Sequence, residues 1–230
     1  MRRHDWTGFG ALAAFIVSVI ALACGSLGWA FVWFVMSAGA ALLTRYWSVK
    51  YPAPMPHLLR WTLLVPRGTH SPDHLKQILE PHGGERILEI GPGVGIHSLP
   101  VASAVAPDGQ LDVLDVQQAM LDDVLRKASQ AGIANITAKQ ADAQKLPYGD
   151  QVFDAAYLIG VLGEIPDGRA TLRELRRVLK PNGRLVVGEV FFDPDFIALG
   201  SLTDRTREAG FAYERKVGGA LTYLARFRPA

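Results

Sequence analysis

Hydrophobic and polar positions divide the chain sharply near residue 50. From Trp6 to Thr44 not one residue is charged. A single helix of that length, at ~1.5 Å per residue, would reach roughly 60 Å, about twice a ~30 Å hydrocarbon core. Two shorter spans fit better, one from about Trp6 to Ala23 and one from about Gly28 to Thr44. The break falls at Cys24-Gly25-Ser26-Leu27-Gly28, where small residues and two glycines permit a tight turn. Neither span has a polar face, which disfavours a buried pair of core helices. Beyond them, Tyr51-Pro52-Ala53-Pro54-Met55-Pro56 predicts a proline-punctuated linker. The stretch from His57 to Arg67 mixes apolar and basic residues. It suits a bilayer surface, a cover over an active-site mouth, or a helix packed on the following domain.

From residue 70 the pattern changes to short apolar runs alternating with amphipathic stretches, which predicts a parallel α/β sheet. Ser71-Pro72 starts a helix, with a capping residue followed by proline at its first position. Strands are expected at Arg86 to Ile90, Gln110 to Asp115, Ile136 to Gln140, Phe153 to Ile159 and Arg184 to Val190. Helices are expected from His97 to Val105, Gln118 to Ala131 and Gly168 to Leu179, the last closed by Lys180-Pro181-Asn182-Gly183. A final helix near Leu202 to Ala209 and two strands, Ala212 to Val217 and Leu221 to Phe227, complete the pattern. The organisation is therefore a membrane hairpin over 1–50, a juxtamembrane linker over 51–69 and a catalytic-type domain over 70–230.

Charge and composition narrow the partners. The formal net charge of +2 gives no global field for nucleic acid, and the aromatics cluster in the first fifth of the chain rather than among basic residues. The single cysteine, Cys24, excludes an internal disulfide, a cysteine-based metal cluster and thiol-relay chemistry. His70 and His74 are four apart but lack a third ligand, so no metal is expected. Arg2 and Arg3 flank the hairpin on one side and Arg45 and Lys50 on the other. The positive-inside tendency then puts both ends, and the downstream domain, on the cytoplasmic side of a two-pass anchor. Trp6, Trp29, Trp33, Tyr46 and Trp47 suit the bilayer interface. Two rival readings of the segment are a cleaved signal peptide, with Ala21-Leu22-Ala23-Cys24 resembling a poor lipoprotein box, and a re-entrant or interfacial hairpin. A second apolar span follows the box at once, which argues against cleavage.

The chemistry concentrates at three strand ends. Glu89-Ile90-Gly91-Pro92-Gly93-Val94-Gly95 follows a strand and precedes a helix. Glycines there let backbone approach a ligand closely, and Glu89 suits a ligand carrying positive charge. A dinucleotide fingerprint wants G-x-G-x-x-G, whereas here the third glycine falls one residue early and Ile96 stands in its place. No Lys or Arg in the loop grips a triphosphate. Asp115, closing the second strand, can accept hydrogen bonds from both hydroxyls of a ribose. Asp142-Ala143, after the third strand, can meet an exocyclic amine. Each aspartate taken alone is equally well a turn cap. Three such features on one sheet edge outline a nucleoside site.

"ILEIGPGVG", "LDVLDVQQAML", "ADAQKLPYGDQVFD", "VLGEIPD" and "LRRVLKPNGRLVVGEV" together resemble the successive motifs of class I S-adenosylmethionine (SAM)-dependent methyltransferases, from about Ser71 to the C-terminus. The likeness is greatest to the subgroup that includes quinone-biosynthesis and phospholipid methyltransferases. It implies a Rossmann-like, doubly wound seven-stranded sheet of order 3-2-1-4-5-7-6 with the last strand antiparallel, SAM as methyl donor and no metal. By motif position, Gly91, Pro92, Gly93 and Gly95 pass under the amino-acid part of SAM. Asp115 holds the ribose with Val116 against adenine, Asp142 and Ala143 meet the adenine edge, and Ile159 and Gly160 line the methionine side. Gly163-Glu164 stands where many relatives carry two histidines, so the acceptor side departs from the pattern.

The sulfonium supplies the reactivity in methyl transfer, leaving alignment and desolvation to the protein. A general base is needed for a hydroxyl, an acidic CH or a protonated amine. Glu164, His97, Tyr148 and His70 are the candidates, each equally at home in a structural role, and no catalytic residue is assigned. A membrane-bound domain suits a small lipophilic acceptor such as a quinone precursor or phospholipid amine. Two other classes remain: a SAM-binding membrane protein without turnover, and a nicotinamide-dependent oxidoreductase, against which the glycine spacing speaks.

Overall fold

The structure, a computed structural model, describes residues 13–20, 22–23, 27–64 and 68–230. It divides into two compact units, Met1–Ala53 and Pro54–Ala230.

In the first unit, residues 13–20 are helical and helix α1 runs Leu27–Lys50. Helix α1 extends past the expected end at Thr44 because Arg45 to Lys50 contain no breaker, and the first proline comes at Pro52. Ser18 Oγ donates to the Ala30 carbonyl at 2.8 Å, joining the two helical stretches. Thr44 Oγ1 donates back to the Ala40 carbonyl, which satisfies its hydroxyl within an apolar helix. The start of the first expected span at Trp6, the Cys24-Gly25-Ser26 turn and the flanking Arg2 and Arg3 lie outside the described residues. Among the described residues α1 is the one helix long and apolar enough to cross a membrane. Its 24 residues make ~36 Å of helix, and Leu27, Trp29 and Phe31 are exposed. A signal sequence near an N-terminus has the same character.

The second unit is built on a seven-stranded sheet of order β3-β2-β1-β4-β5-β7-β6. The strands are β1 Arg86–Ile90, β2 Gln110–Asp115, β3 Ile136–Gln140, β4 Phe153–Ile159, β5 Leu179–Val190, β6 Phe211–Gly218 and β7 Thr222–Pro229. The first five are mutually parallel, and β7 runs antiparallel to both β5 and β6. This is the arrangement expected from the sequence motifs. The intervening helices are α2 Pro72–Leu79, α3 Ser98–Val105, α4 Gln118–Gln130, α5 Gly168–Val178 and α6 Leu199–Glu208. Ser71 caps α2 by accepting the His74 N–H, and Pro72 occupies its first turn.

Alternation along each strand feeds two cores, as a sheet covered on both faces requires. Leu88, Leu158 and Leu185 join Leu172, Leu175 and Leu202 of α5 and α6. Ile87, Val113 and Val186 join Leu75, Val101 and Leu121 of α2, α3 and α4. Strand β5 departs from the expectation of a start at Arg184. Leu179 already pairs with Phe153 and Arg184 with Ala155 across a register shift, so Lys180 to Gly183 sit within the strand as an unpaired bulge, and the strand begins before them. Helix α6 likewise starts earlier than expected, at Leu199.

Candidate active site

The parallel strands all end on one edge, and the loops leaving β1, β2, β3 and β4 meet there. After Ile90 the chain takes left-handed conformations at Gly91 (φ 68°) and Gly93 (φ 54°), which a side chain would strain. A Cβ on Gly91 would fall 2.4 Å from Val161 Cγ2, and one on Gly93 would fall 2.7 Å from Leu63 Cδ1. The loop is pinned by the Gly91 N–H on the Leu114 carbonyl at 2.9 Å and by Lys127 Nζ on the Val94 carbonyl at 2.6 Å. Gly95 differs. Its missing Cβ makes room for Leu99 and Val124, so it serves the packing of the following helices and lines neither cavity described next.

One cavity, of about 260 Å³, brings together Gly91, Gly93, Asp115, Val116, Asp142, Ala143, Ile159 and Gly160. Glu164 and Ile165 also line it, and Pro54, Met55 and Leu63 cover it. A second cavity, of about 320 Å³, shares Leu63, Gly91, Gly93 and Ile159 with the first and adds Glu89, Pro92, Ile96, His97 and His70. Ten of the eleven residues singled out by sequence thus converge on one pair of adjoining cavities, Gly95 being the exception.

The roof is the segment the sequence left open. His57–Leu64 is a 3₁₀ helix, preceded by an extended run. The Met55 N–H donates to Glu164 Oε2 at 3.0 Å, and Gln117 Nε2 donates to the Met55 carbonyl at 2.8 Å. Farther along, His57 and Arg60 both reach Asp123 of α4, at 3.0 and 3.1 Å. These ties make the segment a strap across the strand ends. The sequence signalled it only through its prolines and mixed polarity, and did not mark Pro54, Met55, Leu63 or Gln117 as lining residues.

The acids differ in environment. Burial pushes the Asp115 carboxyl up, while its Oδ1 accepts the Gln117 N–H at 2.8 Å. Asp142 is exposed and accepts the Gln144 N–H at 2.9 Å, so it caps a turn while lining the cavity. Glu89 is buried, and its Oε2 has no hydrogen-bond partner. Desolvation raises its carboxyl to about 7. Glu164 is raised well above the carboxylate range, first by burial and then by Asp195, while the Met55 N–H opposes the shift.

Of the remaining candidate bases, the two histidines line the second cavity and Tyr148 does not. His97 Nε2 donates to the His70 carbonyl at 2.8 Å, and burial lowers its pKa, so it is neutral at pH 7. His70 Nε2 faces two carbonyls, Glu189 and Tyr223, at 3.1 and 3.2 Å, which fixes the proton on that nitrogen. Tyr148 packs edge-on against Phe153 and lies beneath the Arg86 guanidinium, both at strand starts. It therefore sits at the opposite edge of the sheet from the cavities and is no cover for them. Among the described residues, no group of three His, Cys, Asp or Glu side chains is arranged to hold a metal ion.

The residues present fit a sulfonium nucleoside. A Cβ on Gly91 has no room, the Asp115 carboxyl lines the first cavity, and the buried Glu89 carboxyl with an orphaned oxygen lines the second beside the glycine loop.

Comparison with known proteins agrees with this geometry. Residues 87–183 match the family model described as a methyltransferase domain. The 27-O-demethylrifamycin SV methyltransferase of Amycolatopsis mediterranei is 30% identical over 143 residues, covering 62% of this chain and 52% of the relative. The ubiquinone/menaquinone biosynthesis C-methyltransferase UbiE of Ectopseudomonas mendocina is 37% identical over 107 residues, covering 46% of this chain and 42% of the relative. The chain thus spans about half the length of the curated relatives it matches. A SAM-dependent methyltransferase from Aquifex aeolicus superposes with a TM-score of 0.69 at 18% identity, covering 76% of this chain and 98% of that one, a likeness of fold. Residues 87–183 therefore match a methyltransferase domain, and the seven-stranded sheet that holds them has the Rossmann-like fold of the solved SAM-dependent methyltransferase.

Proposed function

We propose that this protein is a membrane-anchored SAM-dependent methyltransferase that methylates a small lipophilic acceptor of the quinone-precursor class. The observation that carries the reading is the single cavity on whose walls Gly91, Gly93, Asp115, Val116, Asp142, Ala143, Ile159 and Gly160 meet. In this reading the Asp115 carboxylate accepts from the ribose hydroxyls. Val116 lies against the adenine, and Asp142 with Ala143 meets its edge. Gly91, Pro92 and Gly93 give the backbone close approach to the amino-acid portion, and Gly95 keeps the loop seated on α3 and α4. Glu89 faces positive charge, while Ile159 and Gly160 line the methionine side. When bound, SAM supplies a methyl group on a positively charged sulfur, already activated for in-line displacement. The protein holds the reactants aligned, and the strap of Pro54, Met55 and Leu63 excludes water above them.

Support for the acceptor class comes from the named relatives, one of which is a quinone-biosynthesis C-methyltransferase. Support for the anchor comes from the length and apolarity of α1, the Ser18 to Ala30 hydrogen bond of a hairpin, and basic Arg45 and Lys50 at its end. The positive-inside tendency then leaves the methyltransferase domain cytoplasmic.

The test is methyl transfer by the full chain in proteoliposomes, using SAM labelled on its methyl group and a prenylated 1,4-naphthohydroquinone with a free ring carbon. Label is expected in the lipid extract, and Asp115→Ala is expected to weaken SAM binding roughly tenfold to a hundredfold by removing charge-assisted hydrogen bonds. If the wild-type chain binds no SAM by equilibrium dialysis, the whole reading falls. If it binds SAM but leaves the lipid extract unlabelled, the acceptor class is wrong.

A further inference from the structure

The strap has two characters. A 3₁₀ helix places residues three apart on one face. Within His57–Leu64 this aligns His57, Arg60 and Leu63 on one face, and these grip Asp123 and close the cleft. It aligns Leu58 with Trp61 on another, and both are exposed, at 70% and 58%. A mobile cover of a water-filled cleft has no need of two large apolar side chains turned outward.

They are not scattered examples. The other strongly exposed apolar residues of this unit include Phe192 at 89%, in the loop leaving β5, and Leu221 at 60%, just before β7. Val190 at the end of β5 pairs with Thr222 at the start of β7, so both loops lie on the same sheet edge as the strap. An apolar concentration at one edge marks an interaction surface. Its occupant is indicated by the chain itself. Only Tyr51, Pro52 and Ala53 separate Lys50, the end of the membrane-competent helix, from Pro54, where the strap begins. Tryptophan with aliphatic neighbours is also the composition that settles at the headgroup level of a bilayer.

We propose that the outer face of the strap, with Leu58 and Trp61 at its centre and Phe192 and Leu221 beside it, rests in the bilayer interface, so that the cleft opens at the lipid surface. This rests on the anchored reading above. It gives a lipophilic acceptor a route to the cleft without passage through water.

The test uses the full chain with Cys24→Ser and one new cysteine, Leu58→Cys, Trp61→Cys, Phe192→Cys, Phe34→Cys in α1, or Leu125→Cys on α4. Each is labelled with an environment-sensitive fluorophore in phosphatidylcholine–phosphatidylglycerol vesicles carrying a nitroxide lipid. Labels at 58, 61 and 192 are expected to be quenched several-fold more than the label at 125, and comparably to the label at 34. If 34 is quenched while 58 and 61 behave like 125, the face does not meet lipid and water, a second copy or another protein covers it. If 34 itself is unquenched, the anchor fails and this proposal falls with it.

Discussion

At the scale of single residues, Glu89 carries the sharpest consequence. It is buried below the glycine loop with an orphaned Oε2, and its carboxyl is raised to about 7, first by burial. The Ser98 and Tyr157 hydroxyls beside it temper the shift, although neither has a hydrogen-bond partner of its own. A carboxyl whose folded pKa exceeds its unfolded value of 4.5 holds its proton more tightly when folded. Stability is therefore undiminished below that unfolded value, falls as pH rises from 4.5 towards 7, and stays reduced above it. Glu89→Gln removes the penalty. Melting of the detergent-solubilised chain should show a gain of about 3 kcal/mol at pH 8 and almost none at pH 4. A gain of equal size at both pH values would mean that ionisation of Glu89 is not the cause.

At the scale of elements, the strap depends on Glu164. Burial, and then Asp195, raises its carboxyl well above the ordinary range, and it holds the Met55 N–H through an acceptor oxygen that glutamine can reproduce. Glu164→Gln should leave methyl transfer within about threefold of wild type, because a net hydrogen bond of ~1 kcal/mol is retained. Glu164→Ala should loosen the strap, and limited trypsin digestion should then cut after Arg60 several-fold faster. A collapse of turnover in Glu164→Gln, with the strap still protected, would instead make Glu164 the base. The elements were largely legible in the sequence: β1, β2, β3 and β4 occupy the expected residues, because β1, β2 and β4 carry short, largely apolar runs between turn formers and β3, Ile136-Thr137-Ala138-Lys139-Gln140, lies between a helix and a turn. The start of β5 was not, since Lys180-Pro181-Asn182-Gly183 has the composition of a turn and only the pairs on either side of it, Leu179 with Phe153 and Arg184 with Ala155, carry the strand across it.

At the scale of the molecule, the proposed anchor is tested on the N-terminal unit itself. If α1 is an anchor and not a cleaved signal, the chain recovered from cells should retain its N-terminal residues. It should also remain in the membrane pellet after an alkaline carbonate wash. Release into the wash, or an N-terminus beyond Lys50, would overturn the anchored reading. Burial inside the first unit is consistent with an anchor: Leu27, Trp29, Phe31 and Phe34 all point away from protein, as lipid-facing residues do.

The sequence by itself marked the runs that become strands, and ten of its eleven candidate residues lie on the cavity walls. Runs, glycines that permit positive φ and acids at strand ends are local signals, whereas the strand order came from the resemblance of the motifs to a known family. Motif order then places each strand tip beside the next. Tertiary structure alone decided that Gly95 serves helix packing, that Tyr148 lies at the wrong edge, and that Glu164 and Gln117 grasp the backbone of Met55. Those outcomes rest on contacts between residues far apart in the chain, Met55 and Glu164 being 109 positions distant. No local pattern records such a contact, since its stabilisation appears only once the sheet has brought the two segments together.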